Sequence, residues 1–166
     1  MFWRLEPADY EANFRRRSLE GVTGGPNRSL MADIVAGGEP PGLMAYRDGR
    51  PAGWVSVSPA SDLVRLARSP QLHFDDYPGT DGTWSISCFY VYRSDQRAGV
   101  GTALLEAAVA RATEHGATAV EAYPVRAPSV DPYTGYDTMF EAAGFRLLKP
   151  GRGRGRALWR RELKRR

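Results

Sequence analysis

The chain has 166 residues, 42% of them hydrophobic and 25% charged, with a formal net charge of +4. That length and balance fit one soluble domain, residues 1–166, with a core of its own. No apolar run approaches the roughly 18–20 residues a membrane span needs, and the single cysteine, Cys88, excludes an internal disulfide.

The N-terminus, Met1-Phe2-Trp3-Arg4-Leu5-Glu6-Pro7, lacks the apolar stretch and cleavage site of a secretory signal. With the lone cysteine, this suggests a cytoplasmic protein. Basic residues gather at Arg15-Arg16-Arg17 and from Arg152 to Arg166. They read first as solvated surfaces, second as attraction for a phosphate-bearing ligand. Nucleic acid comes third, because no aromatic-flanked basic motif accompanies them.

Residues 1–26 are poorly patterned, with a helix expected over Tyr10–Leu19. Asn27 is a candidate N-cap for a helix carrying Leu30, Met31, Ile34 and Val35, ended by Gly37-Gly38. Gly42–Tyr46 and Gly53–Ser58 read as a hairpin about Asp48-Gly49. Residues 59–82 look irregular, with a helical turn or strand extension at Leu63–Ala67. Thr83–Tyr92, rich in aromatic and β-branched residues, is the strongest strand. Thr102–Glu114 is a helix with an apolar stripe of Leu104, Leu105, Ala108, Val109 and Ala112, closed by Gly116. Ala119–Tyr123 follows as a strand, and this spacing predicts a parallel βαβ unit. A helix near Tyr136–Ala143, capped by Gly144, then leads to a strand from Phe145 and a last, antiparallel strand over Ala157–Leu163.

Between the strongest strand and its helix lies Gln96-Arg97-Ala98-Gly99-Val100-Gly101-Thr102. A helix start offers unpaired N–H groups and partial positive charge. Two glycines let an anion approach the backbone, so the loop suits a phosphate or pyrophosphate. It is not a Walker loop, because no lysine follows Gly101. It is not a dinucleotide fingerprint either, because Leu104 stands where the third glycine belongs.

The stretch Phe89 to Leu105 resembles the cofactor motif of the GNAT N-acetyltransferase superfamily, Gln/Arg-x-x-Gly-x-Gly/Ala after a strand. Phe140-Glu141-Ala142-Ala143-Gly144-Phe145 resembles the closing motif of the same superfamily. The likeness covers roughly residues 27–163. It implies an α/β fold: one mixed, twisted sheet flanked by helices, with a splayed parallel strand pair holding acetyl-CoA. It implies that Phe89, Tyr90 and Val91 lie along the pantetheine arm, with the Val91 N–H on the thioester carbonyl. It also implies that Gln96, Arg97, Ala98, Gly99, Val100, Gly101 and Thr102 form the diphosphate loop. Tyr133 falls where many members carry an asparagine that touches the cofactor. The implied activity is transfer of an acetyl group to a primary amine on a small molecule or peptide, without a metal. Homodimers are common in the superfamily.

Two departures matter. Phe140 stands where the family often places a tyrosine acid, and Ser85 where some members use a glutamate base. An alkylammonium, with a pKa near 10.4, must lose a proton before it attacks. Glu121, inside a strand expected to be covered on both faces, is a candidate base or a structural carboxylate paired with an arginine. Tyr133 and Tyr136 are candidate acids or packing residues. Cys88 reads as a small strand hydrophobe rather than an acyl carrier. His115 reads as a surface residue. His73 with Asp75, Asp76 and Asp81 matches no compact metal motif; these carboxylates could instead attract a cationic amine. Trp54 and Trp84 belong to the core or to the acceptor cleft. The missing acid and base motivate a rival reading, a non-catalytic acyl-CoA-binding module. The C-terminal arginines motivate another, an acetyltransferase associated with nucleic acid.

Overall fold

The computed structural model describes residues 4–6, 8–12, 25–38, 40–67, 78–126, 133–151 and 156–164. Residues 8–12 are helical, and the rest of the helix expected to Leu19 lies outside the described residues, as do Arg15–Arg17. Helix α1 spans Gly25–Ala36. It begins two residues before Asn27, so Asn27 sits inside the first turn rather than capping it. Gly38, at φ 91°, ends the segment as expected.

Strands β1 (Gly42–Arg47) and β2 (Arg50–Pro59) form the expected hairpin. Asp48 and Gly49 both take positive φ, 51° and 75°. That is the geometry of a two-residue loop matching the strand twist. A 3-10 turn (Ala60–Asp62) and helix α2 (Val64–Ala67) follow. Strand β3 (Thr83–Val91) leads to helix α3 (Val100–Glu114), then strand β4 (Ala119–Ala122). Helix α4 (Asp137–Ala142), strand β5 (Arg146–Lys149) and strand β6 (Leu158–Glu162) complete the chain.

The six strands form one mixed sheet in the order β1-β2-β3-β4-β6-β5. β3 and β4 run parallel, as the helix between them requires, and every other pair is antiparallel. The α3 stripe of Leu104, Leu105, Ala108, Val109 and Ala112 is buried against Val55, Val57, Ile86, Val120 and Ala122. Gly53 permits the close approach: a Cβ there would lie 3.1 Å from Leu104 Cδ1 and 3.1 Å from Val100 Cγ1. Phe140 joins this core fully buried, edge to face with Phe89 (6.0 Å) and Phe145 (5.1 Å).

Two irregularities in β3 shape the site. First, Ser56 pairs with Cys88 but Val57 pairs with Ile86, so Ser87 is an extra residue, a β-bulge. Trp84 and Ile86 before the bulge, and Phe89 and Val91 after it, therefore all face the helical layer. Second, pairing with β4 stops at Ile86 and Ala122, and the two strands then part. Residues 133–136 cross that opening. The Phe89 N–H donates to Tyr133 O (2.5 Å), the Val125 N–H to Gly135 O (3.0 Å), and the Asp137 N–H to Val125 O (3.1 Å).

Candidate active site

A cleft of about 670 Å³ opens where the strands part, within the usual size of ligand sites. Its walls are Phe89, Tyr90 and Val91 from β3, Asp95 to Arg97, Gly99, Gly101 and Thr102 from the loop and α3, and Tyr133, Gly135, Tyr136 and Met139. Of the residues expected from the sequence, the structure brings together Phe89, Tyr90, Val91, Gln96, Arg97, Gly99, Gly101, Thr102, Tyr133 and Tyr136. Ala98 and Val100 lie in the same loop without lining the cleft.

The loop's conformation follows from its residues. Gly99 is the N-cap of α3 at φ 80°, and no side chain caps the helix. The first helical bond runs from the Ala103 N–H to Gly99 O (3.0 Å). The N–H groups of Val100, Gly101 and Thr102 thus have no partner within the helix, and no acidic residue stands in its first turn. A Cβ on Gly99 would meet nothing within 4 Å, and one on Gly101 would meet only Met139 Sδ at 3.7 Å. Backbone and cleft are therefore in direct contact. An anion fits here because the dipole, the open amides and the absent side chains act together. Arg97, also at positive φ (62°), adds a cation to the wall.

What anchors this loop belongs to no sequence motif. Asp95 is fully buried, and Arg50 binds it through both terminal nitrogens, at 2.8 and 2.9 Å. Ser94 Oγ donates to it at 2.7 Å, and Arg47 approaches to 3.6 Å. The hydrogen bonds from Arg50 and Ser94 hold the Asp95 carboxyl down at about 2, although burial opposes them. The same carboxylate raises the pKa of Arg50. Arg50 and Arg47 thus offset the negative charge that Asp95 brings to the cleft wall.

The strand edge is equally defined. The Phe89 N–H points into the opening, toward Tyr133 O. Val91 lies two residues on, so its N–H points to the same edge, while Tyr92 donates to Ala52 O on the other side. Gln96 Nε2 donates to Val91 O (3.3 Å), tying the loop to the strand. Arg156 donates to Thr134 Oγ1, holding the crossing segment from the β6 side.

Glu121 stands apart from the cleft, fully buried, with Arg160 Nη1 at 2.8 Å. Burial opposes the charge on Arg160, but hydrogen bonds to Glu162 and Glu121 outweigh it and raise its pKa. The Tyr123 hydroxyl donates to Glu121 Oε2 (3.3 Å) and lies 3.2 Å from Ser85 Oγ. A buried polar chain thus runs from Arg160 through Glu121 and Tyr123 to Ser85. Trp84 is a core residue, with the His115 ring tilted against it at 5.0 Å. His73, Asp75, Asp76, Arg152 and Arg154 lie outside the described residues. Among the described residues, no group of three or more His, Cys, Asp or Glu is placed to hold a metal ion, and no helix is long and apolar enough to cross a membrane.

The fold recurs in solved structures. An N-acetyltransferase from Staphylococcus aureus Mu50 aligns at TM-score 0.61 and 15% identity, covering 86% of this chain and 79% of the other. A ribosomal-protein-alanine N-acetyltransferase from Brucella melitensis aligns at 0.55 and 19%, covering 86% and 80%. A PaiA N-acetyltransferase from Thermoplasma acidophilum, in complex with coenzyme A, aligns at 0.55 and 13%, covering 96% and 80%. No curated protein sequence matches the chain. Residues 8–134 match the acetyltransferase (GNAT) family. Matched over about three quarters of its length, the chain belongs to the GNAT family of acetyl-CoA-dependent N-acetyltransferases.

Proposed function

We propose that this protein transfers the acetyl group of acetyl-CoA directly to a primary amine, without a covalent enzyme intermediate. The uncapped, glycine-lined start of α3 opening on the cleft carries the reading. When bound, acetyl-CoA supplies a thioester carbonyl open to attack. The amides from Arg97 to Thr102 hold the diphosphate, and the Val91 N–H polarises the carbonyl oxygen. Tyr133 and Tyr136, on the cleft wall, are our candidates to protonate the departing sulfur. Phe140 brings no hydroxyl and serves the core instead. Glu121 does not line the cleft, and a proton would reach it through groups such as Tyr123 and Ser85, which makes its role as base an indirect one.

Release of free thiol from acetyl-CoA in the presence of an amine panel tests the reading. Turnover with any amine supports it. Binding of acetyl-CoA with no turnover favours the second reading, an acyl-CoA-binding module, which the phenylalanine at 140 and the serine at 85 motivate.

A further inference from the structure

Alternation along β3 gives the two sides of the reacting centre different occupants. Phe89 and Val91 face the helical layer, where the diphosphate loop and α3 lie. Tyr90, between them, faces the opposite side of the sheet. Val91 sits on the open strand edge between these sides. A donor held from the helical side leaves the thioester carbonyl open to approach only from the side of Tyr90.

That side carries a continuous apolar shelf. Tyr90 pairs directly with Trp54, and Trp54 with Met44, so the three form a row across β3, β2 and β1. Tyr92 extends the row, edge to face with Tyr90 at 5.2 Å. Met44 is 48% exposed, Tyr90 46% and Tyr92 43%, while Trp54 is half-buried. The shelf is continuous with the donor cleft, because Tyr90 also lines that cleft. The nearest buried carboxylates offer a cation little: Asp95 is held by Arg50 and Arg47, and Glu121 by Arg160.

Resting on the transferase reading above, we propose that this shelf seats the acceptor, and that the acceptor is a small primary amine carried on a planar apolar body, of the arylalkylamine type. The ring stacks on Tyr90 and Trp54 and packs against Met44 and Tyr92. The amine then reaches the carbonyl held at Val91. An ammonium placed against such a wall loses hydration, while Asp95 and Glu121 are already engaged by arginines, so its pKa falls and the neutral nucleophile becomes more populated. In the transfer, the nitrogen lone pair forms the new C–N bond, the C–S bond breaks with its electrons going to sulfur, and the nitrogen's proton leaves to solvent or to the departing thiolate.

The test compares 2-phenylethylamine with ethylamine and putrescine, following thiol release from acetyl-CoA, in the full chain and in the double variant Met44→Ala/Tyr92→Ala. Neither substituted residue lines the donor cleft. The expected result is a kcat/KM for 2-phenylethylamine about tenfold or more above the other two, a preference that falls at least about fivefold in the variant. Acetyl-CoA affinity should stay within about twofold, because neither residue lines the donor cleft. Equal use of all three amines, or a preference untouched by the substitutions, overturns the shelf and leaves the transferase reading standing. Acetyl-CoA binding with no thiol release from any amine overturns both.

Discussion

At the residue scale the site turns on how little the loop puts between solvent and backbone. Gly99 and Gly101 keep the cleft floor bare, so Gly99→Asp or Gly101→Asp sets a carboxylate at the proposed diphosphate position. Each is expected to weaken acetyl-CoA binding by about 100-fold or more by titration calorimetry, with far-UV circular dichroism unchanged. Asp95 is the complementary case, a carboxylate made harmless by Arg50. Its folded-state pKa of about 2 lies below the ordinary 3.8. The pairing therefore stabilises the fold fully above that ordinary value and loses its contribution as pH falls toward 2. In urea unfolding, the midpoint gap between wild type and Asp95→Asn is expected to be constant above about pH 5 and to close between about pH 4 and pH 2. The glycines were legible in the sequence because a loop conformation is a local property. The Asp95–Arg50 pair was not, because its partners lie 45 residues apart and neither belongs to a motif.

At the element scale the crossing segment, residues 133–136, decides how wide the strand opening stands. It is held by Phe89 and Val125 on the sheet and by Arg156 through Thr134. Thr134→Val removes the Arg156 acceptor without opening a cavity. It is expected to speed amide exchange at Phe89 about tenfold and to raise KM for acetyl-CoA several-fold, with thermal stability nearly unchanged. Tyr136→Phe and Tyr133→Phe separate the candidate acids. The one that protonates sulfur should lower kcat by about 100-fold while leaving KM near wild type, and the other should change neither. The sequence placed α3, β3, β4 and the Asp48-Gly49 hairpin closely, since period and turn chemistry are written in neighbouring residues. It did not reveal the bulge at Ser87, which is a relation between β2 and β3.

Across the whole molecule, α3 and α4 cover one face of the sheet over the core that carries Phe140, while Leu63 and Leu66 pack on Tyr123 and Leu158 at the other face. Phe140, at the position where the family often carries a tyrosine, is a fully buried core ring. Phe140→Ala is expected to cost about 3–5 kcal/mol in chemical unfolding, through lost burial and the cavity left between Phe89 and Phe145. The order β1-β2-β3-β4-β6-β5 was only partly foreseen. The parallel unit and the final antiparallel pair follow from connection lengths, but the insertion of β6 between β4 and β5 has no local signature.

Main-chain grip on the diphosphate is tested most directly by calorimetry with two ligands that share the pantetheine arm. Acetyl-CoA is expected to bind in the micromolar range, and pantetheine, which lacks the diphosphate, about 100-fold or more weaker. Equal affinity for the two, or no heat from acetyl-CoA at millimolar concentration, would contradict the account.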